Sequence, residues 1–265
     1  MAQTPAKSVI VIGGGIVGLC IAVAAQASGH KVTLIARDRS EDTASGVAAG
    51  MIAPTLEARP TPYNDRAWQG MRNAQQAWID LLDVWPPALQ AMLKQQREEA
   101  RSTYVWSGEI DEDDEIFFAI RHVDTQPADQ EQLSRLGLRA DLNGVKFAED
   151  WLVDAAAVLH ALGTHFEDGG GRRLNEEVYS VAVHKARLGD GSELQGDHLI
   201  VAAGADSKAF GGHVACLDLI QPIKGHLLDI KAEGQGGVVR PSTITWPAMV
   251  SRRSSAPPCR PARTT

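Results

Sequence analysis

Residues 7–38, KSVIVIGGGIVGLCIAVAAQASGHKVTLIARD, constrain the fold more than any other stretch. They read as strand, tight turn, helix and second parallel strand. Val9–Ile12 is short and wholly apolar, the pattern of a strand buried on both faces. Gly13, Gly15 and Gly18 stand at GxGxxG spacing, and each has a mechanical task. Gly13 permits the turn, Gly15 lets a pyrophosphate approach the backbone, and Gly18 lets the helix sit close on the strand. The helix start, with Ile16 and Val17, offers free N–H groups and a positive dipole end to phosphates. The run GLCIAVAAQASGH is small and apolar, as a helix packed tightly on a sheet must be, and Gly29 ends it. Val32–Ile35 is the second strand. A glycine-rich turn in an ordinary βαβ unit is the competing reading. The correct spacing of strand, helix and second strand favours dinucleotide binding.

A carboxylate that grips the adenosine ribose belongs at the end of the second strand, near Ala36. This strand ends Ala36-Arg37-Asp38, and Asp38 stands just past it. Either Asp38 takes the ribose or backbone groups do. Arg37 suggests a 2′-phosphate, and hence NADP. The next motif, TASGVAAGMIAP from Thr43 to Pro54, argues otherwise. Its small residues let backbone N–H groups reach a cofactor without intervening side chains.

The fingerprint and this segment together resemble the D-amino-acid oxidase family of FAD-dependent oxidoreductases, in particular its glycine-oxidase branch. The resemblance continues through WLVDAAAVLHAL (Trp151–Leu162), read as a helix, and RRLNEEVYSVAV, read as a strand. Asp190-Gly191 marks a hairpin turn between two alternating strands. DHLIVAAGADS is a buried strand running into Ala202-Ala203-Gly204. Leu219–Ile230 matches a strand, with Pro222-Ile223-Lys224-Gly225-His226 where relatives carry Pro-x-Arg-Gly-Gln. The resemblance covers about residues 7–241.

What the resemblance implies is an α/β fold: a Rossmann-like FAD-binding domain interleaved with an antiparallel-sheet substrate domain, incomplete at the C-terminus. The FAD domain is expected at 1–80 and 145–210, the substrate domain at 81–144 and 211–241. The cofactor FAD is expected to meet Gly13, Gly15, Ile16, Val17, Gly18, Ala36, Arg37, Ala44, Ser45, Ala49, Gly50, Met51, Val178, Ala203 and Gly204, with the Val178 backbone at the adenine. The implied reaction oxidises the carbon–nitrogen bond of a small amine or D-amino acid, with molecular oxygen as partner. The family's carboxylate-binding arginine lies in the C-terminal third, past the end of this match, so no catalytic residue is assigned. An oligomer is compatible with the family.

The remaining features narrow the class. The net charge of −7 argues against nucleic acid as a partner. Three widely spaced cysteines (Cys20, Cys216, Cys259) without CxxC argue against a disulfide framework or a zinc site and suit a reducing compartment. No apolar run is long enough to span a membrane and no secretion signal is read, so the cytoplasm is expected. Trp68, Met71, Trp78, Leu82 and Trp85 recur at helical intervals, the stripe of an amphipathic helix ended by Pro86-Pro87. SGEIDEDDEIFF reads as a solvated turn.

The end, STITWPAMVSRRSSAPPCRPARTT, breaks the pattern. Residues 242–265 hold four arginines and no acid, so residues 1–241 carry 22 − 33 = −11. Back-translated with GC-rich codons and read one base out of step, Ser254–Arg260 can become I-V-G-A-T-M-Q, a segment of the family's type. A frameshift near Pro241, real or from sequencing, is the reading favoured over a natural basic tail, and 242–265 are expected to be disordered. Three functions stay open: an FAD-dependent oxidase, a catalytically dead FAD-binding fragment, and an NAD(P)-binding protein supported only by Arg37.

Overall fold

A computed structural model describes residues 5–37, 43–59, 64–80, 85–99, 101–139, 141–225, 237–241 and 250–252. Asp38 and Leu82 lie outside the described residues, as does most of the basic tail. The chain divides into two units: 1–49, 77–92 and 154–227 form the first, and 50–76, 93–153 and 228–265 the second. These borders differ from the sequence expectation because a strand at 51–52 pairs with one at 143–152, which places both in the second unit.

The first unit is built on a parallel sheet. Its strands are β1 (Ser8–Ile12) and β2 (Lys31–Ile35), with helix α1 (Ile16–Ala27) between them. β1 pairs on its other side with a late strand, His198–Val201, and β2 pairs with Arg172–Leu174. The expected helix at Trp151–Leu162 starts only at Ala155 and runs to Asp168, because Asp154 caps it by accepting the N–H of Ala157 at 3.0 Å. Trp151 and Leu152 instead end a strand. This helix packs beside α1. The single expected strand RRLNEEVYSVAV is two: Arg172–Leu174 in the parallel sheet, and Val178–Ala182. The latter joins Lys185–Leu188 and Glu193–Gln195 in a three-stranded antiparallel sheet. Gly191, at φ +87°, makes the hairpin turn.

Alternation along β1 sets the layers. Ile10 and Ile12, with Ile35, bury against Val181, Ala186 and Leu188 of the small sheet and Phe210. Val11 faces Gly18 of α1. Each of these buried aliphatic side chains stabilises the fold by about 1.5–3 kcal/mol relative to exposure. A polar clamp fixes the register of the first and last strands. The Asp197 carboxylate accepts the Ser8 N–H (2.7 Å) and hydroxyl (2.8 Å), and these bonds hold its pKa below the usual carboxylate value.

The second unit carries β3 (Met51–Ile52), β4 (Arg101–Trp106), β5 (Thr125–Pro127) and β6 (Asn143–Leu152). It also holds Gly237–Pro241 and Val250–Arg252. The pairings are antiparallel except for Gly237–Pro241 against β4. Three residues of the tail expected to be disordered thus form an edge strand. No strand forms over 219–225 of the segment expected at Leu219–Ile230. Leu219 instead closes a 3-10 helix, and 226–230 lie outside the described residues.

Two buried polar clusters organise this unit. Asp150 on β6 is wholly buried and accepts the N–H groups of Thr55 (3.1 Å) and Leu56 (2.9 Å), which begin helix α2 (Pro54–Ala58). Burial pushes its carboxyl up to about 6, against the pull of those bonds. The acidic run read as a solvated turn is a helix, Glu112–Arg121, with Asp111 as N-cap. Its Asp114 is buried and holds Arg59 at 2.7 and 2.9 Å, and it accepts the Tyr104 hydroxyl. The Arg59 guanidinium lies over the Tyr104 ring, 4.6 Å from its centroid. In place of one continuous aromatic stripe, Trp68 meets Phe117 edge-on in the second unit and Trp78 meets Trp85 in the first.

Candidate cofactor-binding site

The site in the first unit forms where three parallel strands end. Gly13 follows β1 and donates its N–H to Ile35 O at 2.9 Å. Ala202, following the late strand, donates to Ile12 O at 2.7 Å. Ala36, following β2, donates to Leu174 O at 3.0 Å. β1 has β2 on one side and the late strand on the other, so the strand order reverses at β1. Ligands of open α/β sheets bind outside the carboxyl ends of the strands at such a switch point.

Two of the glycines there, Gly13 and Gly18, have no room for side chains. Gly13 is at φ +114°, and a Cβ on it would collide with the Ala202 carbonyl and Ala203. A Cβ on Gly18 would collide with the Gly13 carbonyl, so α1 lies directly on the turn. Gly15 is the N-cap residue of α1, with no side-chain cap and no acid in the first turn. The first intrahelical donor is Leu19, to Gly15 O at 3.0 Å. The N–H groups of Val17 and Gly18 have no intrahelical acceptor and stand at the positive end of the helix dipole. Ile16 N donates to the Ser45 hydroxyl at 3.1 Å, which brings the turn containing Ala44 and Ser45 onto the helix start. A bare cradle of backbone donors with no acid in the first helical turn fits a pyrophosphate, and FAD carries one.

The rest of the expected set falls in two places. Ala203 and Gly204 open the 3-10 helix Gly204–Phe210 beside Gly13, with Gly204 at φ +58°. Val178 begins the first strand of the small sheet and packs against the Ile10–Ile12 core. Ala49 ends the first segment of the first unit. Gly50 and Met51 belong to the second unit. There Gly50 sits at φ +76° against the Val153 carbonyl, and Met51 pairs with Leu152.

Sequence reasoning singled out Arg37 at the end of β2 but missed three residues around it, Glu177, Asp206 and Asn175. Arg37 donates to Glu177 at 3.3 Å and to Asp206 at 2.9 Å. Asn175, with its amide nitrogen toward them, donates to the carbonyl oxygens of Arg37 (2.6 Å) and Ala36 (3.1 Å). The only signal was polar residues directly after two strands. An arginine engaged by two carboxylates is a poor hook for a 2′-phosphate, which removes the one support for NADP.

Among the described residues no group of His, Cys, Asp and Glu is placed to hold a metal, and no helix is long and apolar enough to cross a membrane.

Comparison with known proteins agrees with this geometry. The FAD dependent oxidoreductase family matches residues 8–255. The bifunctional protein ThiO/ThiG of Nostoc sp. is 45% identical over 51 residues, 19% of this chain and 8% of that protein. The same protein of Trichormus variabilis matches to the same extent. Among solved structures, glycine oxidase from Geobacillus kaustophilus aligns at TM-score 0.59 and 21% identity, over 80% of this chain and 59% of that one. Iminodiacetate oxidase from Chelativorans sp. BNC1 aligns at TM-score 0.62 and 20% identity, over 89% of this chain and 66% of that one. The chain thus spans less than two thirds of the length of either oxidase, and the structural likeness is one of fold. With a family match that takes in nearly all of its residues, the chain belongs to the FAD dependent oxidoreductases.

Proposed function

We propose that the protein oxidises the carbon–nitrogen bond of a small amine or D-amino acid, with its first unit holding FAD and its second contributing to the substrate side. The observation that carries the cofactor half is the cradle at Gly13, Gly15 and Gly18, with Gly13 and Gly18 closed against any Cβ and the helix start lined by backbone donors. When bound, FAD supplies the acceptor for the hydride that leaves the substrate carbon. The chain's own residues bind and orient. Val17 and Gly18 present N–H groups to the pyrophosphate, Ser45 fixes the helix start, and Ala203 and Gly204 close the turn beside Gly13. The substrate class is supported by the names of the similar proteins, glycine oxidase and iminodiacetate oxidase. Molecular oxygen is the proposed electron acceptor.

The test is direct. Purified protein incubated with FAD should quench the flavin's fluorescence and stay yellow after gel filtration. With glycine or D-alanine and oxygen it should release peroxide. A preparation that stays colourless with excess FAD sinks the reading. One that binds FAD but oxidises no amine or amino acid leaves only the cofactor half.

A further inference from the structure

We propose that Glu177 and Asp206 grip the vicinal diol of the cofactor's adenosine ribose; the inference rests on the FAD reading above. In a dinucleotide fold a carboxylate at the end of the second strand usually accepts the ribose hydroxyls. Here that position is Ala36, whose side chain has nothing to accept with, and Asp38 just past it lies outside the described residues. The structure brings two carboxylates to the same strand end from distant segments. Glu177 follows the strand Arg172–Leu174, and Asp206 follows His198–Val201. Arg37, next to Ala36, holds both. Asn175 pins the backbone of Ala36 and Arg37, so the arginine works from a fixed base.

The chemistry suits a diol. Arg37 takes Oε1 of Glu177 and Oδ2 of Asp206. Among the described residues, the other oxygen of each carboxylate carries no further hydrogen bond. Both side chains are open to a ligand, at 64% and 69% exposure. A hydroxyl donating to a carboxylate makes a short, charge-assisted bond, and two adjacent hydroxyls can serve two acceptors. Among the described residues, one guanidinium between two carboxylates leaves a net negative charge, which favours a neutral donor and repels a 2′-phosphate. Asp206 also belongs to the segment that closes on Gly13, since its N–H donates to Ala203 O at 3.1 Å and Ala203 lies against Gly13.

The experiment displaces FAD from the full chain with ADP or with 2′,3′-dideoxy-ADP, read by flavin fluorescence. The wild type should bind ADP about tenfold more tightly than the dideoxy compound. In E177A/D206A the FAD Kd should rise about tenfold and the preference should shrink to within about twofold. Melting of the ligand-free protein checks the fold of the variant. Should the variant not fold, the wild-type preference alone decides. Equal binding of the two nucleotides by wild type, or a preference that survives in a folded variant, overturns the inference and leaves FAD binding intact. A wild type that binds no FAD overturns both, and only that outcome touches the reading on which the inference stands.

Discussion

The hydroxyl of Ser45 accepts the N–H of Ile16 at 3.1 Å from 29 residues away, so α1 borrows its N-terminal cap from a loop that follows the next strand. Ser45→Ala orphans that donor. The ligand-free protein should lose about 0.5–2 kcal/mol in urea unfolding, the usual cost of a lost cap. No loss would mean that water replaces the serine.

Gly13→Ala and Gly18→Ala place a Cβ into backbone carbonyls, at Gly13 also at φ +114°. Neither neighbour is a flexible side-chain end that can move aside, so each variant should lose at least about 1–3 kcal/mol and its FAD binding. Gly70 in the helix Asp65–Asp80 has open space around its built Cβ. Gly70→Ala should gain about 0.5–1 kcal/mol. Equal effects at Gly18 and Gly70 would contradict the close seating of α1.

Asp150 sets a pH dependence. Its folded pKa, raised to about 6 by burial, stands above the ordinary aspartate value of about 3.9 expected in the unfolded chain. Between those values the folded state keeps a proton that the unfolded chain has released. Stability from this group is therefore full below about pH 4 and is lost as pH rises through about 6, by roughly 3 kcal/mol in all. Asp150→Asn should flatten that part of the profile when urea midpoints are compared from pH 4 to 7. An unchanged slope would show that the bonds from Thr55 and Leu56 outweigh burial.

Arg59 and Asp114 should couple strongly. Arg59→Met or Asp114→Asn alone leaves a buried charge without its partner and should cost about 3–5 kcal/mol. The double variant should cost clearly less than the sum of the two. Additive losses in the cycle would reduce the pair to packing.

The fingerprint was legible because it is local: strand, glycines and helix lie within 32 consecutive residues, and their spacing encodes their contacts. The acidic run at 111–115 was misread because a string of like residues does not say which one turns inward. Asp114 does, toward Arg59, 55 positions earlier. The Arg37 network was invisible for the same reason, with its partners 140 and 169 positions away. Trp151 looked helical by its apolar neighbours. The stop lay in Asp154, whose capping bond was the better signal than the periodicity around it.

The pairing of β1 with His198–Val201 has a consequence for synthesis. Ser8 and Asp197 are 189 residues apart, yet they clamp adjacent strands. A ribosome adding about 5–20 residues per second needs roughly ten to forty seconds between them. Through that interval β1 emerges with one edge unpaired and with apolar side chains made for burial on both faces. The nascent chain is therefore a natural client for chaperones that shield such edges, and slow, non-local closure of this sheet should govern the yield of folded protein.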